Sequence, residues 1–177
     1  MIRNNDPMKV LFSEHELISK LNEIIPLLDG KWEKEETEYA RIAEEIVRFI
    51  GEYSDGYHHH KEEEVLFPAL VDHPDFLLQG IIDELKEHHE NFREYNHEVK
   101  EALTEKDFPK AQKVLMKFIS ELMDHIAIEN DELFIMAENL FSEKELEEMY
   151  FHFEDIDREL GLEKKKSLEK MTASFTE

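Results

Sequence analysis

PKAQKVLMKFISELMDHIAIENDELFIMAENL, residues 109–140, carries Ala111, Leu115, Phe118, Leu122, His125, Glu129, Leu133, Met136 and Leu140 at steps of three and four. That is a helical period, so the stretch is predicted to form one long amphipathic helix with this stripe turned to a core. Asp107 stands where an N-cap belongs, and Pro109 suits the first turn. The stripe is apolar except for His125 and Glu129. Four residues apart on a helix, they share a face, with Cβ atoms about 5–6 Å apart. An imidazole and a carboxylate placed there without partners would each cost roughly 1–3 kcal/mol. A bound metal removes that cost by pairing with their lone pairs.

Working outward, the same period recurs through most of the chain. A first helix is expected over about residues 13–29, with the stripe Leu11, His15, Ile18, Leu21, Ile25, Leu28. Ser13 and Glu16 have capping-box spacing, Gly30 fits the end, and Pro26 should kink or shorten the helix. A second is expected over about residues 35–71, with Ile42, Phe49, Gly56, His59, Glu63, Leu66 and Leu70 inward and a bend near Gly51 and Gly56. A third starts near Pro74 and carries Leu78, Ile82, Leu85, His89, Phe92, Asn96, Val99 and Leu103. Ser142 and Glu145 open a fifth, shorter helix, read as a lid on the bundle, and residues 161–177 read as a polar, Lys-rich tail that frays. The fold class is therefore all-α: an antiparallel up-down-up-down four-helix bundle over residues 1–160, with a short fifth C-terminal helix.

The second and fourth helices each bring an inward His followed four residues later by Glu: His59 with Glu63, and His125 with Glu129. The first and third each add one inward histidine, His15 and either His88 or His89, between which periodicity does not choose. One such pair is commonplace in a Glu-rich helical chain. Two inward pairs facing an inward His on each remaining helix form a ligand set. Imidazole and carboxylate without thiolate suit iron, manganese or zinc. His58 lies about 100° round the helix from His59 and is assigned to the outer face, with His60 at the flank. His73, His97 and His152 have no comparable setting.

Composition narrows the rest. Cysteine is absent, which excludes disulfides, iron–sulfur clusters and thiolate nucleophiles. A net charge of −23 disfavours nucleic acid and anionic lipid as partners. No apolar run reaches the roughly 18 residues of a membrane span, and MIRNNDPMKV lacks a signal-peptide core, so the expected location is cytoplasmic.

The segment His58-His59-His60-Lys61-Glu62-Glu63-Glu64-Val65-Leu66-Phe67-Pro68 resembles the second-helix signature of the hemerythrin-like, HHE cation-binding family. Glu87-His88-His89-Glu90-Asn91-Phe92-Arg93 resembles the third-helix motif and selects His89 over His88. His125-Ile126-Ala127-Ile128-Glu129 resembles the fourth-helix motif and Ser13-Glu14-His15-Glu16 the first, so the likeness spans about residues 10–155. It implies a non-haem di-iron site on His15, His59, Glu63, His89, His125 and Glu129. Glu63 and Glu129 would bridge two Fe ions, with an additional oxo or hydroxo bridge. The oxygen carriers of the family have a fifth histidine where this chain has Arg93, and Asp where it has Asn130. The four-His, two-Glu set is more similar to that of the iron-centre repair proteins and of other stand-alone bacterial and archaeal members; the repair proteins also carry a Cys-bearing N-terminal domain not seen in this sequence, so a stand-alone member is the expectation.

The resulting expectation is a di-iron protein that binds or reacts with O₂, NO or H₂O₂, served by a redox partner or acting as a homodimer. Because the two halves offer nearly equal ligand sets, it is expected not to hold O₂ reversibly. Tyr53 and Tyr57 could donate hydrogen bonds or electrons to the site, although packing explains them as well. A metal-filled sensing module without catalysis is the alternative. A ferritin-like store is disfavoured because that family places Glu before His at a spacing of three. Emptying the site would leave Glu63 facing Glu129, so the metal-free protein is expected to gain stability as pH falls from neutral.

Overall fold

The computed structural model describes residues 5–175. Of the described residues 87 % are helical, and none lies in a strand. None of their helices is long and apolar enough to cross a membrane.

The first helix begins earlier than its sequence suggests. Asp6, whose side chain accepts from the Met8 N–H, caps α1 (Pro7–Ile18), with Pro7 in the first turn. Ser13 is thus mid-helix rather than a cap. A turn at Ser19 and Lys20 separates α1 from α2 (Leu21–Leu27), which holds Pro26. The second long helix is continuous from α3 (Glu36–Phe49) through a π-helical stretch Ile50–His59, a second one Glu62–Leu66, and α4 (Phe67–Asp72). Gly51 and Gly56 do not break it; both lie within the first π-helical stretch. The third is α5 (Gln79–Thr104), which starts a turn later than Pro74. The fourth runs as α6 (Phe108–Ile128), a π-helical turn Glu129–Leu133 and α7 (Phe134–Leu140). Asp107 caps it by accepting from the Lys110 N–H.

Ser142 and Glu145 form the expected capping box at the start of α8 (Glu143–Leu160). The polar tail expected beyond it is instead a further helix, α9 (Leu162–Ser174). Its Leu168 and Thr172, with Phe175 just after, are buried. Long polar side chains dominate its sequence, but one short stripe suffices to dock it against α3 and the Ile50–His59 stretch.

The core is in two parts. One apolar cluster gathers Ile18, Leu21, Tyr39, Ile46, Phe49, Phe118 and their neighbours. The other gathers Met8, Leu11, Leu66, Phe67, Leu85, Phe134 and theirs. A layer of buried histidines and carboxylates lies among these residues.

The π turns explain how the second helix serves that layer. Ile46, Ile50, Ser54, His58, Glu62, Leu66 and Leu70 recur every four residues, and all are buried. At 3.6 residues per turn such a column would drift about 40° per step and leave the core within a few turns. The i→i+5 turns are wider, so the column stays inward.

Candidate metal centre

Two overlapping groups of ligand atoms converge in the core. His59, Glu62, His89 and His125 form one; His15, His58, Glu62 and Glu129 form the other, with the atoms of each group within 4.8 Å of one another. All these residues are buried. Glu62 belongs to both. Its Oε1 lies 3.3 Å from His58 Nε2 and its Oε2 3.4 Å from His89 Nε2. Glu129 spans the same gap: Oε2 is 3.1 Å from His15 Nε2, and Oε1 is 3.3 Å from His125 Nε2. Each carboxylate therefore turns one oxygen to each half.

Five of the six residues singled out from sequence meet here: His15, His59, His89, His125 and Glu129. Glu63 does not. Its carboxylate is a quarter exposed, accepts from Arg93 at 2.8 Å, and lies 2.7 Å from His89 Nδ1. The inward carboxylate is its neighbour Glu62, and His58, assigned to the outer face, is buried inside the cluster. One physical cause corrects both assignments. The α-helical period put His59 and Glu63 on the inward stripe, whereas the four-residue column of the π-helical stretch runs through His58 and Glu62. The wider turns leave His59 facing the interior as well. The centre thus has five histidines, three on one side and two on the other. The expectation of equal halves, with one histidine fewer than the oxygen carriers, does not hold. His58 is the fifth histidine of the cluster, beside the four expected from sequence.

The rings are held in one tautomer by what their outer nitrogens touch. The Nδ1 of His15 faces Asn130 Oδ1 at 2.7 Å, that of His58 faces Glu14 Oε2 at 3.0 Å, that of His59 faces Asp55 Oδ1 at 3.2 Å, and that of His89 faces Glu63. Each acceptor takes the Nδ1–H and leaves Nε2 as a lone pair aimed inward, the orientation found for metal-ligating imidazoles. The Nδ1 of His125 lies 3.3 Å from the partly exposed His88. Glu63 is thereby the orienting partner of His89. Tyr53 and Tyr57 point away from the centre, to Glu169 and to the Leu160 and Gly161 carbonyls.

The Nε2 atoms of His89 and His125 lie 3.1 Å apart. His15 Nε2, His58 Nε2 and both oxygens of Glu62 and Glu129 are buried without a hydrogen-bond partner. So many orphaned acceptors in one place call for a cation. The apolar surround is aromatic: Phe134 stacks on His15, Phe67 on His89, and Phe92 meets His125 edge-on.

The electrostatics agree with neutral rings beside charged carboxylates. Burial, together with the neighbouring His89, holds His59 well below the usual histidine range. Burial acts to raise Glu129, but His125 and His15 outweigh it and hold the carboxyl well down. His58 is the exception. Burial opposes its charge, yet Glu62 and Glu14 raise it to about 10.

The expected gain of stability in acid rests on Glu63 facing Glu129; Glu63 instead pairs with Arg93 and His89, and His125 and His15 hold Glu129 well down. Asp55 gives the acid limb a defined window. Burial works against its charge, but bonds to His59 and Arg93 lower it from 3.8 to about 2. A carboxyl depressed on folding stabilises above its unfolded value and loses that contribution as pH falls through the folded one. The urea midpoint of metal-free protein should therefore fall between pH 3.8 and about 2, and Asp55→Asn should flatten that segment of the profile. An unchanged slope in the variant would show that the pairing contributes nothing.

An all-helical core enclosing a layer of imidazoles and carboxylates with their lone pairs turned inward defines a class, the helical cation-binding domains. The Hemerythrin HHE cation binding domain matches residues 6–171, and the chain belongs to that family. No curated protein and no solved structure gives a significant match to it.

Proposed function

We propose that this protein is a non-haem di-iron protein, built on an up-down-up-down bundle, that binds a small diatomic or peroxide at one of its two metals. The observation that carries this reading is the convergence of inward Nε2 lone pairs on two carboxylates that have no other partner. His59, His89 and His125 would hold one iron and His15 and His58 the other, with Glu62 and Glu129 shared between them. Imidazole and carboxylate without thiolate suit iron, and a shared carboxylate for each oxygen-facing pair suits two of them.

Iron held in these positions would supply electrons and, on the two-imidazole side, an open coordination place. The chain's own residues do the rest. Asn130, Glu14, Asp55 and Glu63 fix the ring orientations. The aromatic walls keep water out and admit only a small guest. The closed, three-imidazole side and the open, two-imidazole side are unequal, which favours a ligand seated at one metal over a ligand shared by both.

Anaerobic ferrous protein titrated with NO tests this. One NO per chain is expected, and O₂ taken up should be released on evacuation with recovery of the ferrous spectrum. Two NO per chain, or immediate permanent oxidation by O₂, would contradict the unequal halves. No response to either gas would remove the reading.

A further inference from the structure

The second helix has a second four-residue column, Phe49, Tyr53, Tyr57 and Lys61, which is buried against α1, α8 and α9 rather than the metal centre. Lys61 is wholly buried, an uncommon place for an ammonium group. Its Nζ lies 2.6 Å from Glu14 Oε1 and 2.6 Å from Asp157 Oδ1. Lys165, from α9, repeats the arrangement, at 2.9 Å from Glu14 Oε1 and 2.6 Å from Asp157 Oδ2. Two ammoniums and two carboxylates form a closed, neutral set joining α1, the second helix, α8 and α9. The other oxygen of Glu14 accepts the Nδ1–H of His58. The C-terminal helix is thus two contacts away from a metal-facing imidazole.

We propose that Lys165 is a positioning residue of the two-histidine half: it fixes Glu14, Glu14 fixes His58, and the docking of α9 is thereby coupled to occupancy of that half. This rests on the di-metal reading above. The physical argument is one of charge. Lys61 alone faces the buried Glu14 and the partly buried Asp157, and buried charges hold their geometry only when each is compensated. Without Lys165, Glu14 keeps only one of its two ammonium partners and no longer anchors the ring. The coupling is reciprocal. A metal that draws His58 Nε2 inward also aims its Nδ1–H at Glu14, so loading favours the docked α9. The tyrosines of the column act by other means: Tyr53 holds α9 through Glu169, and Tyr57 holds the junction of α8 and α9 through the Leu160 and Gly161 carbonyls. That separates fastening α9 from orienting His58.

The test uses full-length protein loaded anaerobically with ferrous iron, and two readouts. The first is release to a chelator. In Lys165→Met one of two release phases should accelerate about tenfold, the scale set by loss of a partner behind a ligating histidine, while the other stays unchanged. The second is amide hydrogen exchange over residues 162–174. Loading should raise protection in the wild type and leave it unaltered in Lys165→Met. Lys166→Met, which removes an exposed pair with Glu163 on the same helix, should behave as wild type. Tyr57→Phe, which loosens α9 without touching Glu14, should leave both release phases in place. Equal acceleration of both phases, equal effects of Tyr57→Phe and Lys165→Met, or no metal-dependent change in α9 would overturn the proposal. Should Lys165→Met not fold, Glu14→Gln makes the same comparison with the same expected outcome. A wild type that takes up no pair of metals defeats the di-metal reading, and this inference with it. A wild type that holds two while Lys165→Met releases them normally defeats the inference alone.

Discussion

Glu62→Ala should empty both halves of the centre, whereas Glu63→Ala should leave both filled at saturating metal. The two residues are neighbours with the same side chain, so composition and charge are controlled. Glu62 turns one oxygen to each half, and both oxygens are buried without a protein partner. Its loss deprives each half of a carboxylate and leaves two cations facing each other with one fewer negative charge between them. Glu63 touches the outer nitrogen of His89 and the Arg93 guanidinium. Its loss should weaken affinity by about 10–100-fold, as for other partners of ligating histidines, without changing the number bound. Metal analysis after gel filtration, with wild type and His58→Ala alongside, decides the matter. His58→Ala should lose the metal of the two-histidine half. Full stoichiometry in Glu62→Ala together with an empty Glu63→Ala would reinstate Glu63 as the inward carboxylate.

Removing the metal should lower the melting temperature by about 10 °C or more. Metal binds a site that exists only in the folded state, so it stabilises by mass action, by about 4 kcal/mol at a thousandfold excess over Kd. For a domain of this size each kcal/mol corresponds to about 2–4 °C. The empty centre also keeps its orphaned carboxylate oxygens and ring nitrogens buried at full desolvation cost. Protein stripped with a chelator, dialysed and melted with and without added ferrous iron provides the comparison. Coincident melting curves would mean that the buried groups are satisfied without a cation.

Helix period, end signals and inward polar residues carried most of the architecture in the sequence. His125 and Glu129 stand out because they interrupt a stripe that is otherwise Leu, Phe and Ala. The capping box at Ser142 is legible for the same reason: its chemistry is local. The inward face of the second helix was not. An α-helical period was imposed on residues that adopt π turns, and a shift of one residue exchanged Glu62 for Glu63 and put His58 outside. A signal was present in the recurrence Ile46, Ile50, His58, Glu62, Leu66, Leu70 at multiples of four, but Ser54 interrupts its apolar character. The C-terminal helix was hidden differently. Beside its short buried stripe, Lys165 meets Asp157, eight residues away, and Glu14, remote in sequence, and a Lys-rich stretch reads as solvated unless those partners are known.

The four-residue column has a consequence for the path of the helix in space. A side-chain repeat shorter than 3.6 residues makes neighbouring helices wind left-handedly about each other, and a longer repeat makes them wind right-handedly. A repeat of four carried by ordinary α turns would demand a tight right-handed supercoil from Ile46 to Leu70. Here the mismatch is absorbed within the helix, by widening its turns at Ile50–His59 and Glu62–Leu66. The axis has no need to coil, and one rod can present imidazole, carboxylate and apolar side chains along a single straight edge.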